Sequence, residues 1–158
     1  MDRKGNLEDL VAWQKAKELA TTAYQLAKET AISGDSFLKE KLIRSSMSVP
    51  VGLARSYGIK RRDEALDSLY EARAGLYEYK TTLAISADLS LIDTEKVSEL
   101  TPLIDHTDKL ISGLIQYKED ARNGKSTRRR FQGAENENYN DTEVNGNSNF
   151  SNSSITNY

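Results

Sequence analysis

Seven cations, Lys39, Lys41, Arg44, Arg55, Lys60, Arg61 and Arg62, fall within residues 39–62 against one carboxylate, Glu40. Cations at this density on a helix and the loop after it can contact successive phosphates of a nucleic acid, releasing condensed counterions as they do. The same charge has a second use. Residues 39–62 carry a net +6 and residues 63–122 a net −7, so a basic segment of one protomer could face acidic segments of the next. RNA binding and self-association are therefore both open, as is a surface whose charge only keeps the protein in solution. The first two are compatible, because a ring repeats any remaining basic patch and multiplies weak binding.

The remaining reactive residues make a short inventory. The chain has no Cys and one His, which leaves no disulfide, no thiol nucleophile and too few ligands for a zinc or iron site built from Cys and His. His106 stands between Asp105 and Asp108, and proton transfer there would need a pocket and a partner; a solvated helix histidine is expected. Glu64, Asp67, Glu71 and Glu78 have helical spacings, but a di-iron bundle uses Glu-x-x-His pairs on facing helices. Leu103 stands three residues before the single His, so that motif is absent and a solvated acidic face is expected. No cofactor, metal or catalytic residue is expected. Trp13 reads as a core or interface anchor, and Tyr70, Tyr77 and Tyr79 divide between buried and exposed faces of one helix.

The elements that position these residues are four helices. Trp13, Ala16, Ala20, Ala23 and Ala27, widened by Leu19 and Leu26, form the apolar stripe of the first, which Ser33-Gly34-Asp35 should end. Ser36 is the expected N-cap of the second. Its stripe, Leu38, Leu42, Ser45, Val49, Gly52 and Ser56, is made mostly of small residues that let a neighbouring backbone come close. Pro50 interrupts it, and a kink or break is expected there, because proline cannot donate to the Ser46 carbonyl and its ring crowds that group. Gly58 closes the second helix. Arg62-Asp63-Glu64 opens a third, whose acids suit the positive end of the helix dipole, carrying Ala65, Leu69, Ala72, Leu76, Tyr79 and Leu83. Asp93 or Thr94 caps the fourth, with Val97, Leu100, Ile104, Thr107, Ile111 and Leu114 on its main stripe. Leu103, Leu110 and Tyr117 broaden that face, and Pro102 is tolerated by its early position.

Short connections between long helices imply antiparallel neighbours, so the expected fold is all-α, an antiparallel up-down-up-down four-helix bundle. Residues 1–6 are expected to be a flexible N-terminus, 7–122 the bundle and 123–158 a disordered polar tail. Asn supplies 8 of the 27 residues from Gln132 to Tyr158, too polar a composition to offset its own ordering entropy. Lys125, Arg128, Arg129 and Arg130 lie just before that stretch. No run approaches a bilayer span and MDRKGNLEDL lacks the apolar core of a signal peptide, so a cytoplasmic location without membrane contact is expected.

Three stretches carry a resemblance: Leu10 to Ala16, Arg44 to Tyr57 and Glu71 to Glu78. Over about residues 7–120 the chain resembles the four-helix-bundle proteins encoded in intervening sequences of bacterial large-subunit ribosomal RNA genes. The resemblance implies kinship with the accessory proteins of diversity-generating retroelements, bundles of the same kind that form pentameric rings and bind RNA and a reverse transcriptase. It further implies a non-enzymatic homo-oligomer, with RNA or a reverse transcriptase as partner. One segment departs from the family's pattern. Where relatives commonly read Asn-Ile-Ala-Glu-Gly, this chain reads Gly52-Leu53-Ala54-Arg55-Ser56, so an amide and a carboxylate are replaced by a glycine and a cation.

Overall fold

A computed structural model describes residues 5–124. A short 3₁₀ turn, Leu7–Asp9, leads into α1 (Val11–Glu29); a second, Ala31–Gly34, connects to α2 (Ser36–Gly58), followed by α3 (Arg62–Asp88) and α4 (Thr94–Arg122). Of the tail expected over residues 123–158, residues 125–158 with the Lys125 and Arg128–Arg130 cluster lie outside the described residues, as do residues 1–4. The four helices form the expected up-down-up-down bundle: each packs on the next in sequence, α2 on α3 most extensively, and a lighter α1–α4 contact closes the square.

Every stripe residue expected on α2 and α3 is buried. On α1, Ala16, Leu19, Ala20, Ala23, Leu26 and Ala27 are buried while Trp13 is only half-buried, with Ala12 taking the core position beside it. On α4 only Ile104, Thr107, Ile111 and Ile115 are buried, and Leu100, Leu103, Leu110 and Leu114 stay partly exposed. This helix is the least covered of the four, and Ile115 replaces Leu114 as the last core residue.

Three local expectations change. First, α1 ends at Glu29, well before Ser33-Gly34-Asp35. Continued as a helix, the chain would carry Ile32 off the Ala23–Ala27 stripe; the 3₁₀ turn instead buries Ile32 completely. The Thr30 hydroxyl donates to the Leu26 carbonyl at 2.7 Å at this end. Second, the N-cap of α2 is Asp35, whose carboxylate accepts from the Leu38 N–H at 2.9 Å; Ser36 is already helical. A carboxylate there also meets the helix dipole, which a hydroxyl cannot do. Third, α2 runs through Pro50 without a break. Val49, Gly52 and Leu53 are buried on either side of the proline, and tertiary packing of this kind outweighs one lost backbone hydrogen bond.

The α2–α3 seam shows why small residues recur on α2. The Ser45 hydroxyl donates to the Lys41 carbonyl at 2.8 Å and that of Ser48 to the Ser45 carbonyl at 2.7 Å, so the polar groups of the seam are satisfied within their own helix. A Cβ added to Gly75 would fall 1.8 Å from the Ser48 Oγ, and one added to Gly52 would fall 2.8 Å from the Ala72 Cβ. Helix axes can come this close only where side chains are this small. Among the described residues no helix is long and apolar enough to cross a membrane.

Candidate functional site

The basic residues of α2 and the following loop are exposed, apart from half-buried Lys39, but most are engaged within the protomer. Lys41 pairs with Glu78 at 3.4 Å and Arg55 with Glu71 at 2.8 Å, both across the α2–α3 seam. Arg44 pairs with Glu40 one turn away at 3.0 Å, and Arg61 with Glu64 at 2.7 Å. Arg62 donates to the Ala121 carbonyl near the end of α4 at 3.1 Å. Lys39 and Lys60 make no ion pair among the described residues. The basic segment and the acidic helices thus meet first inside one chain. These pairs are exposed and individually weak, so they lower the local positive potential without locking the cations away.

Arg55 and Gly52 account for the departure from the family's pattern. Glu71 supplies the carboxylate that Arg55 needs in place of an acid at its own position, and the closeness of Ala72 leaves no room for a side chain at position 52.

A second surface is apolar. Between α1 and α2 runs an open groove of about 610 Å³, with Leu7, Trp13, Ala20, Tyr24, Met47, Pro50, Val51 and Ala54 among its lining residues. Tyr24, Met47 and Val51 are 51 %, 48 % and 50 % exposed, so three large side chains stand in solvent on adjoining helix faces. Lys17 lies over the Trp13 ring at 4.8 Å and Lys28 over the Tyr24 ring at 4.9 Å, giving the α1 side a cationic rim. The sequence held a signal for this surface: Met47, Val51 and Ala54 make a second apolar stripe on α2, beside the small-residue one.

The α3–α4 face is polar and closed. Arg73 donates to Asp108 at 3.0 Å, and the Tyr77 hydroxyl donates to the other Asp108 oxygen at 3.1 Å. Hydrogen bonding with Tyr77, then with Asp108, holds the Arg73 guanidinium above its ordinary pKa. Lys80 pairs with Asp105 at 3.0 Å, and the Tyr70 hydroxyl donates to Glu119 at 2.6 Å, which keeps that phenol protonated above its usual range. Burial first, and the Arg62 charge second, lower the Lys118 pKa. The depression beneath Lys80 and Asp105 measures about 20 Å³, room for a single water. His106 is exposed, and Asp105 and Asp108 on either side of it are taken by Lys80 and Arg73. Among the described residues no cluster of three His, Cys, Asp or Glu residues could hold a metal ion.

No curated protein matches the chain. Among solved structures, it is similar to a protein of unknown function from the S23 ribosomal protein family from Bacteroides thetaiotaomicron, with 17 % identity and a TM-score of 0.60, covering 66 % of this chain and 98 % of that one. That likeness is one of fold. A model of the 23S rRNA-intervening sequence protein family matches residues 8–113, which take in all three stretches that carry the resemblance and most of the bundle, and the chain belongs to that family.

Proposed function

We propose that this protein is a non-catalytic binding module that assembles into a homo-oligomer through the α1–α2 groove. The observation that carries the reading is the groove itself: Tyr24, Met47 and Val51 half-exposed beside Trp13 on adjoining helices. Apolar surface of that kind, with two aromatic rings and a methionine inside a polar rim, is typical of the centre of a protein–protein interface. Light scattering over a micromolar concentration series tests it. An oligomer is expected, with five subunits by the resemblance, and Met47→Glu combined with Val51→Glu should reduce it to a monomer with unchanged helicity. A wild-type chain that stays monomeric throughout the series overturns the reading.

RNA binding is a second reading. It is favoured by Lys39 and Lys60, which have no ion-pair partner among the described residues, and by the weakness of the exposed pairs around Lys41, Arg44, Arg55 and Arg61. A ring would present these cations several times over. Structured RNA should then bind with an affinity that falls steeply with salt, and Lys39→Ala or Lys60→Ala should each lower the log–log slope by about one. A slope indifferent to both changes would remove this site.

A further inference from the structure

We infer that the groove is filled by α4 of a neighbouring copy, entering by its partly exposed leucine edge, so that the copies join head to tail with their bundles parallel. The inference rests on self-assembly through the groove and names the other half of the contact. Leu103, Leu110 and Leu114 lie on α4 beside its buried stripe and remain partly exposed. Trp13 and Tyr24 on the α1 wall are eleven residues apart, as are Leu103 and Leu114, and both spans come to about 16 Å of helix. The apolar edge and the apolar wall therefore match in length.

Charge then selects the direction. Lys28 lies one turn beyond Tyr24 and has a ring contact but no carboxylate partner among the described residues. Glu99 lies one turn before Leu103, exposed and without a cation partner among them. Laid antiparallel to α1, with Leu103 beside Tyr24 and Leu114 beside Trp13, the incoming α4 brings Glu99 to Lys28. The parallel placement would instead carry Glu99 toward Glu8 and Asp9. In an up-down-up-down bundle α4 is already antiparallel to the α1 of its own chain, so an antiparallel α4 from the neighbour means that both bundles point the same way. Groove and leucine edge are different surfaces, which makes the contact heterologous, and parallel protomers joined in this way are related by rotation about an axis along the bundles. Such a contact closes into a ring where the rotation carries no translation along that axis, and runs on as an open filament where it does.

The chain has no cysteine, which makes engineered disulfides a direct test. Mixed under mild oxidation, Met47→Cys and Leu110→Cys chains should form a disulfide between copies, while neither variant alone cross-links; the chain carrying both should give a covalent ladder. Met47→Cys linking to itself would show two grooves face to face and overturn the α4 assignment, as would an oligomer by light scattering that yields no link between positions 47 and 110. Monomeric wild-type protein would instead bring down the underlying self-assembly reading. Should Leu110→Cys fold poorly, exposed charges supply the second arm: Glu99→Lys and Lys28→Glu should each weaken assembly a few-fold, and the two together should restore it. Weakening without restoration overturns the pairing.

Discussion

Gly52 of α2 and Ala72 of α3 are as close as two helices allow: a Cβ on the glycine would stand 2.8 Å from the Ala72 Cβ, 3.1 Å from its Cα and 3.0 Å from the Ser68 carbonyl oxygen. Two of those three atoms are main chain and cannot step aside. The contact lies between the Arg55–Glu71 and Lys41–Glu78 pairs, so one seam sets both the spacing of the helices and the partners of the basic residues.

Gly52→Ala should therefore destabilise the bundle by about 1–3 kcal/mol, as overpacking does. Gly75→Ala should cost less, because the Ser48 hydroxyl, its closest obstacle, can leave by a change of rotamer at the loss of its hydrogen bond to Ser45, because the Ser48 Cβ and the Ser45 carbonyl oxygen stand farther off at 3.1 and 3.3 Å, and because alanine gains helix propensity over glycine. Urea melts of the two variants check the order.

Tyr79 is fully buried and its hydroxyl has no hydrogen-bond partner among the described residues. Tyr79→Phe should stabilise the protein by about 1 kcal/mol through removal of an unsatisfied group. Burial also raises the Tyr79 pKa well above the ordinary 10.0. Below that ordinary value both states keep the proton; above it the unfolded chain ionises first, so this contribution is lost as pH rises through the alkaline range. The stability difference between wild type and Tyr79→Phe should accordingly widen between neutral pH and about pH 11, as read by denaturant midpoints.

Ser90, at the end of α3, adopts φ 57. The Leu91 N–H reaches back to the Ser86 carbonyl at 2.9 Å across this turn, and a left-handed residue at such a helix end is normally glycine. Ser90→Gly should raise stability by up to about 1 kcal/mol, measurable as an increase in melting temperature.

Reversing the Arg55–Glu71 pair as Arg55→Glu with Glu71→Arg should restore whatever stability either single reversal removes. Both side chains are more than half exposed, so each single change should cost no more than about 1 kcal/mol, and a double-mutant cycle isolates the coupling.

A chain ending at Arg122 should keep the helicity and cooperative melting of the full protein, because the sequence beyond that point carries no periodic apolar stripe. Circular dichroism checks it, and a loss of cooperativity would move the domain boundary.

Hydrophobic periodicity alone determined four helices, their order, and the central buried stripe of α2 and α3, because a stripe of 4,3 spacing has one way to leave water on a helix of 3.6 residues per turn; flanking residues such as Leu53, Leu66 and Ser86 are buried as well, because a neighbour covers more than one stripe. It also marked α2 as a close-packing helix through Ser45, Gly52 and Ser56. What it left undecided depends on neighbours in space. The end of α1 is set by where Ile32 can be buried, and the continuity of α2 through Pro50 by what packs around it. The fate of the basic cluster turned on Glu71 and Glu78 lying across the seam, distant in sequence and one ion pair away in the fold. The groove too is tertiary: Tyr24 and Met47 form one surface only because α1 and α2 run side by side, and no spacing within either helix expresses that distance.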